Sequence, residues 1–499
     1  MIMRVPAQDA EFDDSDFQEQ NAHTDRPKWQ SDTDEYCCHI GRFAPTLIDS
    51  LLSFEDLQPS AIDTFGTSAT SDSNTRSSPT LLTMPASAEL QWTTACRIVR
   101  RQSQDCVLVR YGRSRRVILP SDHRLMCFDR TLGQCRAVPI SSAARMLSPR
   151  IAEIPDVVDA GITTITGYDG RPCELTRELG WWIGCVIGNG WVCSGNRVYM
   201  CGAIGSPVLD SWAAMTTQLF GRTTSNPQDR IIAKGAWGTS RKISVSGKEL
   251  ANWLSPKIGH GAGNKHIPDF VFHSCRAFQL GLVEGLFDTD GTLKPTKSGR
   301  FNVAYTTKSP VLCRQLTWLL MDLGVDANYQ LQTNNFARKA WVVLPSVVDF
   351  HAMPVAFTDP ARNAVLQQMR LDPPLAIHRT NDILPLSHRE SRQMCDMFRG
   401  TAATRKKDYD TNLRTMYCSL IAAKGSGHIG RYSLSRIVTW LGDRCPLTVR
   451  ERLSQNVHWE PVRAITSAGS MDVLDIHFDD PELAIVGDYG IPVFASPVQ

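Results

Sequence analysis

Two stretches of the 499-residue chain, Leu179–Gly190 (LGWWIGCVIGNG) and Leu280–Gly291 (LGLVEGLFDTDG), align without a gap. Gly184 falls on Gly285, Asn189 on Asp290 and Gly190 on Gly291, an offset of 290 − 189 = 101 residues. An interval of that size holds a whole subdomain, so the pattern reads as an internal duplication. Leu179, Ile183, Val186 and Ile187 recur at helical spacing. Gly180, Gly184, Gly188 and Gly285 would let two helix backbones approach closely. Thr176 and Ser274 are expected as N-caps, and Gly190 and Gly291 as helix stops that permit a left-handed turn and the close approach of another backbone or a phosphate. A polar residue, Asn189 or Asp290, precedes each stop.

The chain between and after the motifs reads as strand-rich α+β. Residues 196–201, 300–306 and 340–344 have strand character, and 208–220 helical character. Ser309-Pro310 opens a helix that carries Leu312, Leu316, Leu319 and Leu323 on one face and stops at Gly324. The order of motif helix, strands and helix occurs in both halves. Residues 355–455 are less legible, with helical spacing at 432–441.

Asp290 is the expected metal ligand and activator of water, because a carboxylate at a helix tip can hold a hard divalent cation against a phosphate. The carboxamide of Asn189 can ligate but lacks charge.

The second stretch, read as Val283-Glu-Gly-Leu-Phe-Asp-Thr-Asp-Gly291, resembles the signature of LAGLIDADG homing endonucleases. Lys265-His-Ile-Pro-Asp-Phe before it and Tyr305-Thr-Thr-Lys-Ser-Pro-Val-Leu after it resemble blocks of the intein-borne members. The first stretch departs at Asn189, where the family carries Asp. The resemblance implies catalytic roles for Asp290, Asn189 and Lys265, and a Mg²⁺ site at Asp290, Asn189, Gly190 and Gly291. Lys308 and Lys339 are secondary candidates for a phosphate-contacting role.

Two outer segments resemble halves of a Hint (intein splicing) domain: Cys96 to Pro139, and Val457 to Ser496. Cys106–His123 reads as two strands around a Gly-centred turn, then Pro120-Ser-Asp-His123, where inteins carry Thr-x-x-His. The far end reads Phe494-Ala495-Ser496 where inteins end His-Asn before Ser, Thr or Cys. Alanine has no carboxamide to cyclise and phenylalanine no proton to donate. The resemblance therefore implies a relic splicing site at His123, Phe494, Ala495 and Ser496. Cys37 and Cys38 are unsupported candidates for a splice-site cysteine, and the strand Thr80-Leu-Leu-Thr-Met-Pro reads as a decayed first block of such a domain.

The expected fold is thus α+β: a duplicated LAGLIDADG endonuclease core of pseudo-twofold αββαββα units, inserted in an all-β Hint domain. The expected segments are an acidic, Ser/Thr-rich disordered arm (1–79), the two Hint parts (80–170 and 456–499), the endonuclease (171–355) and a connector or DNA-contacting extension (356–455).

The net charge of +2 hides a partition. Residues 1–36 are strongly acidic, whereas Arg222, Arg230, Lys234, Arg241, Lys242, Lys248, Lys257 and Lys265 crowd 222–265, and Lys294, Lys297 and Arg300 follow the second motif. With Lys308, these basic residues supply the phosphate-neutralising surface that double-stranded DNA requires. Residues 389–407 form a weaker basic patch. The 15 cysteines are scattered without zinc spacing and read as reduced thiols. No apolar run of membrane length and no secretory signal is evident, so an intracellular protein, nuclear or cytoplasmic, is expected. The leading expectation is a monomeric, Mg²⁺-dependent, site-specific DNA endonuclease, attenuated or nicking through Asn189, within a domain that cannot splice. A DNA-binding protein with an inactive nuclease fold and a self-splicing intein are the alternatives.

Overall fold

The computed structural model describes residues 97–112, 115–151, 161–193, 196–225, 240–297, 300–333, 339–372, 382–399, 410–455 and 457–477, and the strands 80–84, 91–94, 484–486 and 492–494. The acidic arm, Cys37, Cys38, Arg230, Lys234, Ala495 and Ser496 lie outside these residues.

Both motifs are helices, Arg177–Asn189 and Arg276–Asp290. Thr176 caps the first, its Oγ1 accepting from the Leu179 amide at 3.2 Å. Ser274 does not cap the second: Cys275 is the N-cap, and the Ser274 hydroxyl donates to the Val271 carbonyl at 2.7 Å. Cys275 follows a 3₁₀ turn (Asp269–His273) that sets the entry angle, which displaces the boundary by one residue.

After the second helix come strands Gly291–Pro295 and Phe301–Thr307, helix Pro310–Asp322, strands Ala327–Thr333 and Lys339–Pro345, and a short helix Val347–Phe350. The four strands form one antiparallel sheet with Ala327–Thr333 at its edge. Ser309 caps the leucine-faced helix, and Gly324, at φ 81°, takes the left-handed turn that ends it. After the first motif helix come strands Gly190–Cys193 and Arg197–Ala203, helix Pro207–Phe220, strand Ser240–Ser246 and helix Lys248–Ile258. Its described strands form a three-stranded antiparallel sheet. Residues 226–239, between the second and third strands, are outside the described residues.

One apolar core runs through both repeats and both motif helices. Trp182 stacks on Trp212 at 5.2 Å, and its indole N–H donates to Thr216 Oγ1 at 2.8 Å. Trp181 and Trp182 thus serve the core with their polar atoms satisfied.

The chain-distant outer segments share a sheet. Strand Arg97–Tyr111 turns at Gly112 (φ 52°) into Arg115–Pro120, and pairs along its other edge with the 21-residue strand Val457–His477. A second six-stranded sheet joins Gln91–Thr94, Thr80–Met84, Ala484–Val486, Pro492–Phe494, Arg124–Asp129 and Gln134–Pro139 in that order. A second core lies here: helices His388–Met397, Thr411–Ser426, Arg431–Leu441 and Leu447–Ser454 enclose Leu384, Phe398, Leu420 and Ile437 against Trp459, and Phe128 and Leu147 join it. Ser387 and Glu390 form a capping box there, and Glu390 also accepts from Arg452 at 3.1 Å. Buried Arg115 ties the outer sheet to the second repeat, donating to Glu460, to Asp326 Oδ1 (3.0 Å) and to the Ala327 carbonyl (2.6 Å).

Candidate active site at the paired helix ends

The motif helices meet backbone to backbone. A Cβ at Gly180 would collide with the Phe278 carbonyl, and one at Gly184 with the Leu282 carbonyl. In return, a Cβ at Gly281 would strike the Arg177 carbonyl, and one at Gly285 the Trp181 carbonyl. Exchanging the helices through the 101-residue offset turns the first pair of contacts into the second. Gly180·Phe278 becomes Gly281·Arg177, and Gly184·Leu282 becomes Gly285·Trp181. Gly188, against Thr289, maps onto itself and so marks the pseudo-twofold axis. Sequence numbers rise together along both helices, so the helices are parallel, and the next residue of each is Asn189 and Asp290.

Gly190 and Gly291 are not left-handed. Their φ angles are −105° and −75°, extended backbone in which each helix passes directly into a strand. Glycine is required there for space: a Cβ at Gly190 would meet Val186 Cα and the Tyr199 carbonyl, and one at Gly291 would meet Phe287.

Parallel helices that end side by side bring two negative poles together, each with unsatisfied carbonyls. Two cations answer them. Lys265 donates to the Gly188 carbonyl, and Arg362 donates to the Asp288 carbonyl and reaches the Thr289 carbonyl at 3.5 Å. Each helix end thus has one cation at its last carbonyls, Lys265 on the first and Arg362 on the second. Arg362 was not anticipated from sequence; its spacing from Lys265, 362 − 265 = 97 residues, is close to the repeat and could have revealed it.

The two acidic residues at the end of the second helix differ sharply. Asp288 is buried and saturated, accepting from Trp181 Nε1 (2.8 Å) and from the amides of Thr358 (3.0 Å) and Asp359 (3.2 Å). Glu284 is likewise held by Arg177 and the Ala356 amide. The Asp290 carboxylate accepts no hydrogen bond from any described residue, and it retains partial solvent access. Burial pushes its pKa up, while Lys265 and Arg362 pull it down. Burial also lowers Lys265 to about 8, with Asp290 opposing that shift. A carboxylate with free lone pairs beside two helix C-termini suits a hard cation. Among the described residues no group of three or more His, Cys, Asp and Glu is placed to hold a metal.

The expected DNA-contacting residues are not alike. Arg222 is engaged, donating to the Ser246 carbonyl at 3.0 Å beside Glu249 (3.8 Å), and Arg241 pairs with Asp210 at 3.1 Å. Both ion pairs lie at the surface, where such pairs contribute little. Lys242 lies over Tyr199 (4.3 Å) and Trp191 (5.5 Å), which stack on each other on the sheet face opposite buried Val192, Val198 and Met200. Lys248, Lys294 and Lys308 are exposed. His123 is buried with Nδ1 at 3.7 Å from Asp122; of the far relic residues, only the Phe494 backbone is described, pairing with Ala484.

Residues 277–350 match the family model of the LAGLIDADG-like domain. The chain is 37% identical over 100 residues to the ATP-dependent DNA helicase Hel308 of Thermococcus kodakarensis, covering 20% of this chain and 9% of that protein. It is 28% identical over 156 residues to the protein RecA of Mycobacterium tuberculosis, covering 31% and 19%. The chain thus spans less than a fifth of the length of these curated relatives. Among solved structures, the homing endonuclease I-DmoI in complex with DNA and Ca is similar at 16% identity and a TM-score of 0.26, over 39% of this chain and 98% of that one. The matched segment carries nearly all of the second motif helix, Asp290 and the sheet behind them.

Proposed function

We propose that this chain is a site-specific DNA endonuclease whose reacting centre lies where the two motif helices end. The observation that carries this reading is the pseudo-twofold pairing of those helices. It puts an unsatisfied carboxylate, Asp290, next to Asn189 and between two cations that face both helix ends. A duplex has a twofold axis of its own between its strands, so a twofold protein site presents one half to each scissile phosphate. Asp290 and the Asn189 carboxamide, with backbone at Gly190 and Gly291, would hold Mg²⁺. The bound cation would stabilise the charge that develops on the phosphate oxygens. Lys265 and Arg362 neutralise phosphate charge. Lys242, Lys248, Lys294 and Lys308 supply salt-sensitive affinity for the backbone, and the polar faces of the two sheets read the groove.

The halves are unequal. Only the Asp290 half holds an anion for the metal, so the preferred product is a nick in one strand. An inactive DNA-binding protein is the second reading, and Asn189 is the feature that favours it. The outer sheets represent a Hint-like domain split by the endonuclease; the pairing of 97–111 with 462–477 supports that reading. With Phe494-Ala495 at its end, this domain does not splice. No described helix is long and apolar enough to cross a membrane. A monomer acting inside the cell fits a chain that carries both halves of its own twofold site.

Selection of cleaved duplexes from a randomised library with Mg²⁺, followed by strand-resolved assays, tests the proposal. The wild type should nick one strand, Asp290→Ala should cut neither, and Asn189→Asp should add the second cut. Cleavage by Asp290→Ala at the wild-type rate would refute the assignment.

A further inference from the structure

Tyr305 is fully buried, and its hydroxyl has no hydrogen-bond partner in the structure. A buried hydroxyl without a partner is costly enough that a reason for keeping it must be sought. Its position supplies one. Tyr305 is paired in the sheet with Gly291, the residue that follows Asp290, and its ring packs on Phe287 at 5.8 Å, one helical turn before Asp290. Two groups besides burial act on the phenol: the Asp290 carboxylate and the Cys313 thiol. Cys313 lies one turn into the helix capped by Ser309, and the Ser309 hydroxyl donates to the Lys265 carbonyl at 2.6 Å. The phenol is thus enclosed by the elements that carry Asp290 and Lys265.

The other repeat shows what is special here. Gly190 pairs with Met200 where Gly291 pairs with Tyr305, so the half that ends in an amide has a thioether at the equivalent position. A hydrogen-bond donor accompanies the carboxylate and is missing beside the carboxamide.

We propose that Tyr305 is a positioning residue of the Asp290 half-site: its buried hydroxyl donates, through one water molecule, to the Asp290 carboxylate and fixes the orientation in which that carboxylate takes a divalent cation. The inference rests on the endonuclease reading of Asp290. Carboxylates that ligate metals are commonly oriented by such outer donors, whose loss costs about 10–100-fold in metal affinity or activity.

The test compares full-length wild type, Tyr305→Phe and Asp290→Ala. Two readouts are taken: Mn²⁺ affinity from the dependence of melting temperature on Mn²⁺, and the Mn²⁺ midpoint for nicking a duplex selected with the wild type. Tyr305→Phe keeps the ring and its packing, so it should fold. It should raise both Mn²⁺ midpoints by about tenfold or more, as loss of an outer donor does. An orphan hydroxyl with a purely structural role would alter the metal-free melting temperature and leave both midpoints in place. Midpoints within about twofold of wild type would therefore overturn the proposal. If Asp290→Ala loses the Mn²⁺ response while Tyr305→Phe matches wild type, only the role of Tyr305 fails. If Asp290→Ala keeps the response, or the wild type shows none, the reading beneath it fails as well.

Discussion

The two repeats share a helix interface and differ in what they do with polar groups. In the first helix, Ile183 and Ile187 are buried among other apolar side chains. The repeat places Glu284 and Asp288 at the equivalent points of the second, as 284 − 101 = 183 and 288 − 101 = 187. Those two carboxylates bind the segment 354–359 to the second helix through the Ala356, Thr358 and Asp359 amides. That segment leads into the helix Pro360–Leu371, which carries Arg362. The second repeat has thus spent buried charge on anchoring its cation, whereas the first presents Lys265 from a loop after Lys248–Ile258. The comparison separates the glycine contacts of the helix pair, shared at Gly180/Gly281 and Gly184/Gly285, from the tip carboxylate, which one half carries.

Mutations can break that comparison at several levels. The largest effect is expected at the helix tips: Asp290→Ala should reduce strand cleavage by about 10³-fold or more, and Asn189→Ala by less than about tenfold, in single-turnover assays. Equal losses would mean that the halves are functionally alike. Next come the interface glycines. Gly184→Val and Gly285→Val each drive a branched side chain into a carbonyl of the facing helix, at related contacts. Each should destabilise by about 3 kcal/mol or more, and by nearly the same amount, in denaturant unfolding. A strong difference between them would argue against the pseudo-twofold.

Replacing Glu284 by the isoleucine of the other repeat should cost about 2–4 kcal/mol, because Arg177 and the Ala356 amide lose their partner. Its activity loss should track the loosening of Arg362, seen as faster proteolysis around 354–362. The smallest effect is in pH dependence. Lys265 titrates near 8 in the folded chain because burial disfavours its charge. Its positive charge is complete below that pH and lost as pH rises through it, so cleavage should decline above about pH 8. Lys265→Arg should carry the decline to higher pH; an unchanged profile would remove Lys265 from the reacting centre.

Much of this architecture is legible in the residues. The gapless repeat sets the helix pair, its small-residue face and its parallel sense, because a backbone approach that close excludes every side chain but hydrogen. Ser309-Pro310 and Gly324 mark their helix by local chemistry that no neighbour overrides. The caps were less secure. Ser274 lost its role to Cys275 because a 3₁₀ turn, fixed by packing of Val271 and Phe272, decides where the helix begins. The stops at Gly190 and Gly291 were placed correctly, and of the two reasons for glycine only the close approach of backbone holds: a Cβ would meet the Tyr199 or the Phe287 carbonyl, while neither residue takes a left-handed turn. The partners of Arg222 and Arg241, Glu249 and Asp210, sit on a separate helix each and could not be read from the local sequence. The region 382–455 had no readable period as a whole because its short helices each bury a narrow stripe against Trp459 and its neighbours.

By itself, the amino-acid order determined that two glycine-faced helices exist, that they are related by 101 residues, and that one tip is a carboxylate and the other an amide. These are local or periodic properties, carried by residue size and spacing. Only the tertiary structure decided which of Asp288 and Asp290 is free, that Arg362 completes a pair with Lys265, and that Tyr305 lies beneath one tip alone. A charged group's availability depends on what reaches it from distant parts of the chain, and no spacing along one segment records that.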